Sequence, residues 1–152
     1  MHEVGHTLAL IHNFIASYQY GPEEIHNDSI TGGSTTSSVM DYDPINIAPP
    51  GIEQGKYFSV APGDYDKWAI EFGYKPELEG EDREAHLAKS IQQEYLWHWE
   101  DIDPRFGTWD LSNDPIAYAK GRYEVIDNKF ISSFCIGLSL IHISEPTRLV
   151  SI

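Results

Sequence analysis

Cysteine is nearly absent from this chain of 152 residues, since Cys135 is the only one. A single cysteine excludes an intrachain disulfide framework and a zinc module built on several cysteines. Basic residues are also few: 10 Lys and Arg stand against 24 Asp and Glu, which gives a formal net charge of −14 at pH 7. That charge disfavours nucleic acid as a partner and docking on anionic lipid, because both carry dense negative charge.

Long apolar runs are missing as well. The longest candidate, residues 130–143, is interrupted by serines, a glycine and a histidine, and it falls short of the roughly 18 apolar residues that a membrane-spanning helix needs. We therefore expect no membrane span in this chain. The remaining composition, 41% hydrophobic and 12% aromatic, is enough for a folded core, so one domain or a piece of a larger one is expected.

Residue periodicity predicts a mainly helical fold with long irregular loops. A first helix is expected over residues 1–10. Residues 18–38 and 44–63 are rich in the glycines, prolines, asparagines and serines that are typical of loops. Asp64 is then predicted to cap a helix that continues through Phe72 and is stopped by Gly73 and Pro76.

Two more helices are predicted nearer the C-terminus. One covers residues 82–97, where Leu87, Ile91 and Tyr95 recur four apart and would share one side. The other begins with Pro115 at its first position, which suits a helix start. Strand signals are weak throughout the chain.

The first residues have metal-binding spacing, because His2, Glu3 and His6 form the pattern HExxH. On a helix, His2 and His6 lie on one face about a turn apart and can share a metal ion. Glu3 occupies the adjacent position, from which its carboxylate can reach a metal-bound water. A pentapeptide of this kind also recurs by chance, so the residues that follow matter.

His12 lies six residues beyond His6. On an unbroken helix, six residues rotate the side chain off the common face and carry it ~9 Å along the axis. Zinc–nitrogen bonds are ~2.1 Å long, so His12 can ligate only if the helix breaks between about Leu8 and Ile11. Three imidazoles and one water would form an open tetrahedral site, which is the catalytic form of zinc rather than the structural one.

The string HEVGHTLALIHNF, followed by SVMDY at residues 38–42, resembles the metzincin clan of zinc endopeptidases. The particular residues in these two strings are also similar to those of a family of large bacterial zinc-dependent metalloproteases. The resemblance continues through residues 43–49, 65–70 and 114–119, and it covers most of residues 1–126.

This resemblance implies Zn²⁺ as the cofactor, a peptide or protein as the substrate, and Glu3 as the general base. It also implies that residues 1–126 form the C-terminal part of an α+β catalytic domain and a following helical region. In this clan a β-sheet subdomain precedes the zinc helix, so we expect it, and the native amino terminus, to lie upstream of Met1. Such enzymes are generally exported to the periplasm, the cell surface or the medium.

Three further positions acquire roles from the resemblance. Met40 would be the Met-turn residue, whose thioether lies beneath the metal without ligating it. Tyr42 matches a tyrosine that approaches the zinc or the oxyanion in some families, although a packed aromatic with a solvent-facing hydroxyl is the alternative. Ala9 replaces the usual glycine of a positive-φ turn, which costs roughly 1–2 kcal/mol. This leaves three alternatives. The metal site tolerates the cost, the break in the helix lies at a neighbouring residue instead, or the site binds its metal more weakly than the members of the clan do.

Other interpretations stay open at this point. Glu23 or Glu24 could supply a glutamate-type third ligand, but both lie in a Gly-Pro loop. The chain could instead be a non-catalytic zinc-binding remnant, an acidic helical interaction module or a calcium-binding acidic domain. The acidic clusters at residues 77–84 and 100–103 do not have calcium-loop spacing, which favours a solvated surface. We expect the parent protein to be a peptidase and the isolated chain to have little activity.

The C-terminal segment is unusual. Residues 138–148 resemble the in-frame translation of a transposase-based sequencing adapter, and the alternative is a real apolar strand with a polar tail. We therefore predict that residues 138–152 are not native, and we leave residues 127–137 unassigned. Cys135 lies beside this junction and is given no functional role.

Overall fold

The computed structural model describes residues 1–98 and 107–144, with residues 130–144 described by their backbone alone. The described residues form helices joined by irregular segments, and none of them is in a strand. The α-helices are α1 His2–Thr7, α2 Asp28–Thr31, α3 Asp64–Tyr74, α4 Gly80–Ala88 and α5 Pro115–Ser144. Short 3₁₀ helices lie at Phe14–Gln19, Glu24–His26, Lys89–Ile91 and Gln93–Tyr95. The predicted mainly helical fold with long loops is confirmed.

Helix α3 begins almost where the sequence predicts, but Gly63 rather than Asp64 is its N-cap. Gly63 is needed there because a Cβ atom at this position would collide with the backbone carbonyl of Ser37. Asp66, in the first turn, accepts a hydrogen bond from the Gly63 N–H at 2.9 Å. The helix ends at Tyr74, between the two predicted stop residues Gly73 and Pro76, and it includes Gly73 because one glycine costs a helix only about 1 kcal/mol.

The helix predicted over residues 82–97 is wrong in its second half. Helix α4 ends at Ala88, and Ile91, placed on its apolar face, is 84% exposed. Gln92 is extended, which lets the following chain run beside Asn13. The Asn13 side chain donates to the Leu96 carbonyl at 3.0 Å and accepts from the His98 N–H at 3.0 Å. These long-range hydrogen bonds outweigh a weak local preference for helix.

Helix α5 starts at Pro115 as predicted. Asp114 accepts a hydrogen bond from the Ala117 N–H at 2.9 Å and caps the first turn. The helix backbone extends through Ser144, across the predicted junction at residue 138, and residues 145–152 lie outside the described part of the chain. The assignment of the C-terminal segment as non-native stays a prediction. No helix in the described residues combines the length and apolarity that crossing a bilayer requires.

The buried interior has two parts, an apolar cluster and a polar chain segment that forms hydrogen bonds. Tyr20, Ile25 and Leu111 form an apolar cluster against which Tyr118 packs. Residues 34–38 are also buried, although all five are serine or threonine. Two of their hydroxyls bond within the segment, because Ser34 donates to the Thr36 carbonyl and Thr36 to the Ser38 carbonyl, each at 2.8 Å. The Thr35 hydroxyl donates to the carboxylate of Asp43 at 2.9 Å. This segment leads directly into the residues beneath α1.

Candidate metal centre

A left-handed turn ends α1 and redirects the chain. The helix stops at Thr7, and Ala9 adopts φ +61°. The Leu10 N–H then folds back onto the Gly5 carbonyl at 3.1 Å. The predicted break between Leu8 and Ile11 is therefore confirmed. It lies at Ala9 itself, so the alternative that the break moves to a neighbouring residue is wrong.

This turn brings the three predicted histidines together. The ring centroids are 4.9 Å apart for His2 and His6, 5.3 Å for His2 and His12, and 5.1 Å for His6 and His12. One nitrogen from each ring lies within 4.8 Å of the other two. A metal ~2.1 Å from each nitrogen requires ligand atoms at most about 4.2 Å apart, so small ring rotations are enough.

Backbone carbonyls orient the first two rings. His2 Nδ1 donates to the Val39 carbonyl at 2.8 Å, and His6 Nδ1 donates to the Leu10 carbonyl at 3.0 Å. These hydrogen bonds select the neutral tautomer that carries its proton on Nδ1 and has its lone pair on Nε2, which is the tautomer found in metal-ligating histidines. Nε2 of His2 is buried and has no hydrogen-bond partner in the described residues. A metal ion would satisfy this nitrogen, so the residues fit the zinc that their spacing predicts.

The third ring is held through its neighbours. The Trp97 indole N–H donates to the His12 carbonyl at 3.0 Å, and the Asn13 N–H donates to the Met40 carbonyl at 3.0 Å. Burial lowers the pKa of His12, the charges of His2 and His6 lower it further, and Glu3 raises it. A lowered pKa favours the neutral imidazole, which is the form that binds metal.

Met40 lies directly beneath α1. Its side chain is fully buried, and its sulfur packs so closely against Gly5 that a Cβ atom at Gly5 would collide with it. Gly5, the fourth residue of HEVGH, thus lets the helix pack directly on the thioether. This is the place that the resemblance to metzincins implies for the Met-turn residue.

Asp66 supports the metal centre from α3, which the sequence analysis did not predict. Its buried carboxylate accepts hydrogen bonds from the Ser38 hydroxyl at 2.6 Å and the Val39 N–H at 2.9 Å, besides the one from Gly63. Val39 in turn accepts from His2. The available signal was the segment at residues 65–70, which the resemblance marked without assigning it any chemistry.

Glu3 and Tyr42 both lie beside the cluster. The Tyr42 ring stacks on His2 with centroids 4.9 Å apart, and its hydroxyl is 2.9 Å from Nε2 of His12. The side chain of Glu3 is exposed on α1. His2, Glu3 and Tyr42 line the same pocket. Tyr42 is therefore a packed aromatic whose hydroxyl, at an exposed position, contacts a ring of the cluster.

The glutamates considered as alternative ligands lie elsewhere. Among the described residues, neither Glu23 nor Glu24 belongs to a group that could hold a metal, and Glu24 accepts a hydrogen bond from the Gly21 N–H at 2.7 Å. The charged residues between 77 and 84 are exposed, as expected for a solvated surface. The second acidic cluster, at residues 100–103, lies outside the described residues.

Of the other histidines in the described part of the chain, two have structural contacts. His86 is buried, stacks on Trp68 with centroids 5.3 Å apart, and contacts the Trp68 carbonyl through Nε2 at 2.9 Å. The backbone N–H of His98 is bonded to Asn13. Burial lowers the pKa of His26, which lies away from the cluster.

Comparison with known proteins assigns the chain to a family. Searches of curated proteins and of solved structures gave no match. A family model described as Met-zincin matches residues 1–132, a range that contains the three histidines, Glu3, Met40 and Tyr42. The chain belongs to the Met-zincin family, a metzincin-type family of metalloproteases.

Proposed function

We propose that this chain carries the catalytic zinc centre of an endopeptidase. The observation that carries the proposal is the convergence of His2, His6 and His12 after the turn at Ala9. Glu3 lies beside these rings but is not one of the three residues that could hold the metal. Its carboxylate is therefore available to act as a general base.

Zinc held by the three imidazoles would supply Lewis acidity, which polarises the scissile carbonyl and makes water acidic enough to attack near neutral pH. Glu3 acts as the general base that accepts the proton of the attacking water and passes it to the leaving amine. Its exposure on α1 supports this role, because the carboxylate is open to substrate and solvent.

Tyr42 is proposed to donate a hydrogen bond from its phenol to the developing oxyanion. Stacking on His2 holds the ring in place, and the hydroxyl already lies at hydrogen-bond distance from a ligand ring, His12. A phenol fixed in this way needs little rearrangement as negative charge develops.

A further part of the parent protein is proposed to cover α1. The outward residues Val4, Leu8 and Ile11 are exposed apolar side chains, and exposing several such groups together is unfavourable in water. We infer that they pack against the upstream β-sheet subdomain that the metzincin resemblance implies. Export of the parent protein is proposed on the same resemblance.

Two substitutions test the catalytic assignment. Introduced into the longer parent protein, Glu3→Gln should retain one zinc per chain but lose cleavage of an unstructured protein, whereas His6→Ala should lose both. Glu84→Gln, at another exposed glutamate, serves as the control and should behave as the parent. Zinc content is measured by atomic absorption, and cleavage is measured with and without a chelator.

The same experiment separates the alternative functions. Stoichiometric zinc without chelator-sensitive cleavage by the longer parent protein, and not only by this chain, would identify a non-catalytic zinc-binding module. Cleavage by Glu3→Gln at the parent rate would show that the general base is assigned wrongly. Folding that depends on calcium, without zinc binding, would indicate the acidic calcium-binding domain instead.

A further inference from the structure

Two aromatic side chains from later in the chain hold the turn at Ala9. The hydroxyl of Tyr74, the last residue of α3, donates to the Leu8 carbonyl at 3.1 Å. The indole N–H of Trp97 donates to the His12 carbonyl at 3.0 Å. Leu8 precedes Ala9 and His12 follows it by three residues, so the two hydrogen bonds lie on either side of the turn.

The Leu8 carbonyl belongs to the peptide group that joins Leu8 to Ala9. This group is planar and rotates as a unit, so its rotation changes φ of Ala9. A carbonyl at the C-terminal end of a helix has no partner within the helix, and a donor from outside therefore fixes the orientation of the group. A φ of +61° is unfavourable for alanine, and the hydrogen bond from Tyr74 opposes its reversal.

Helix α3 gives Tyr74 a fixed position. Asp66, in its first turn, accepts hydrogen bonds from the Ser38 hydroxyl and the Val39 N–H beneath the histidines. Tyr74 lies about 12 Å further along the same helix, so α3 contacts the chain around the metal centre at both of its ends. The side chain of Tyr74 is 56% exposed, and its contribution to the turn is therefore the hydrogen bond rather than burial of the ring.

Trp97 is fixed by the residues on either side of it. The Asn13 side chain bonds to the Leu96 carbonyl and to the His98 N–H, each at 3.0 Å. The indole then reaches back to the carbonyl of His12, the residue before Asn13. These three hydrogen bonds join residues 96–98 to residues 12–13, so the donor on Trp97 has a defined place relative to the third histidine.

We propose that Tyr74 and Trp97 are positioning residues of the metal centre, which hold His12 at the metal by fixing the two ends of the turn at Ala9. We call this pair of hydrogen bonds the clamp. It offsets the strain of an alanine at a position where metzincins usually have glycine. The proposal rests on the proposed zinc function, and it extends the metal centre to two side chains far outside the ligand motif.

The first arm of the test measures the zinc affinity of the full chain by competition with a chromogenic chelator. Tyr74→Phe and Trp97→Phe each remove one donor and keep an aromatic ring. Each should weaken zinc binding by about 3- to 10-fold, which corresponds to the loss of one hydrogen bond. Tyr57→Phe is the matched control, because Tyr57 is a tyrosine of similar exposure, 53%, and it should bind zinc as the parent does.

Two background substitutions show whether the clamp acts through His12. In the His12→Ala chain, Tyr74→Phe and Trp97→Phe should each change zinc affinity by less than about twofold, whereas a general loss of stability would lower it in either background. Ala9→Gly should reduce the loss that Tyr74→Phe causes, because glycine adopts the left-handed conformation without a steric cost.

The second arm uses the metal-free chain and measures amide hydrogen exchange by NMR. The Leu10 N–H is bonded to the Gly5 carbonyl while the turn is formed, so Tyr74→Phe should accelerate its exchange by about 3- to 10-fold. Tyr57→Phe should leave it unchanged. The N–H of the buried residue Ser37 is bonded to a backbone carbonyl, and its exchange at the parent rate shows that the fold is intact.

The two arms distinguish failure of the clamp from failure of the zinc function. If the parent chain binds no zinc but Leu10 exchange accelerates in Tyr74→Phe, the zinc function fails and the clamp on the turn stands. The proposal is overturned if Leu10 exchange is unchanged, or if that of Ser37 accelerates by the same factor. It is also overturned if a zinc-binding parent and both donor variants have equal affinities, or if the losses are equally large in the His12→Ala chain.

Discussion

One residue, Ala9, determines whether His12 can reach the other two histidines. Its left-handed conformation turns the chain back at the end of α1, and it brings the Leu10 carbonyl to the Nδ1 proton of His6. An alanine in this conformation costs roughly 1–2 kcal/mol. The surrounding hydrogen bonds maintain the turn in spite of this cost, so replacing the usual glycine preserves the geometry at some expense in stability.

Ala9→Gly is therefore expected to stabilise the chain by about 0.5 kcal/mol, because relief of backbone strain exceeds the added entropy of the unfolded state. Zinc affinity should stay within a factor of about two. Urea unfolding measures the first quantity and competition with a chromogenic chelator the second. Ala69→Gly, inside α3, is the control and should destabilise by about 1 kcal/mol; equal losses in both variants would refute strain at Ala9.

Gly5 is the second residue on which the metal centre depends. Because the Met40 sulfur occupies the space where a Cβ atom would lie, Gly5→Ala should cost about 1–3 kcal/mol through overpacking and should weaken zinc binding. Gly73→Ala is the matched control, since nothing lies within 4 Å of a Cβ atom there and the residue is also helical. Similar unfolding midpoints for the two variants would contradict the close packing of Met40 under α1.

At the scale of elements, α3 anchors the segment below the metal. The chain of contacts runs from Asp66 through Val39 to His2, so a helix that supplies no ligand still fixes a ligand ring. Removing acceptors from this buried carboxylate leaves donors unsatisfied, which is more costly than losing exposed hydrogen bonds.

Asp66→Asn should lower the free energy of unfolding by about 2–3 kcal/mol, because the amide has only one accepting oxygen and its NH₂ group cannot accept, so it cannot satisfy all three donors around it. It should also weaken zinc affinity by about 10- to 100-fold, which is typical when a residue that orients a metal ligand through hydrogen bonds is substituted. Asp82→Asn, likewise in the first turn of a helix but exposed, should change neither by a comparable amount. Unchanged zinc affinity in Asp66→Asn would show that α3 does not position His2.

Local signals predicted the elements that depend on local chemistry. Pro115 marks the start of α5, and the spacing of the histidines predicts both the break after α1 and the ligand set. The second half of the helix predicted over residues 82–97 does not form, because the side chain of Asn13, more than 80 residues away in the sequence, hydrogen-bonds to the backbone of Leu96 and His98. The support from Asp66 could not be predicted either, since it acts on backbone groups of a segment 27 and 28 residues earlier.

Over the whole molecule, the excess of acidic residues extends into the interior. Burial raises the pKa of Asp41, Asp43 and Asp110, and the charges of the other two raise that of Asp41 further. An acid whose pKa is raised on folding contributes stability that is complete below its unfolded-state pKa. That contribution is lost as the pH rises through the folded-state value. These three groups therefore make the fold less stable at pH 8 than in mild acid.

Asp110→Asn tests this pH dependence, because its amide oxygen can still accept the hydrogen bond from the Ser17 hydroxyl. The variant should melt at a higher temperature than the parent at pH 8, and the difference should shrink as the pH falls toward 4. Thermal unfolding followed by circular dichroism across this range gives the comparison. A difference in melting temperature that is independent of pH would mean that ionisation of Asp110 is not its source.

The most direct test of the account is the coordination of zinc in the loaded chain, measured by X-ray absorption at the zinc edge. With His2, His6 and His12 as ligands, the spectrum should contain three imidazole nitrogens at about 2.0–2.1 Å, and His12→Ala should reduce them to two. A parent spectrum with two or fewer imidazoles, unchanged in His12→Ala, would contradict the three-histidine centre.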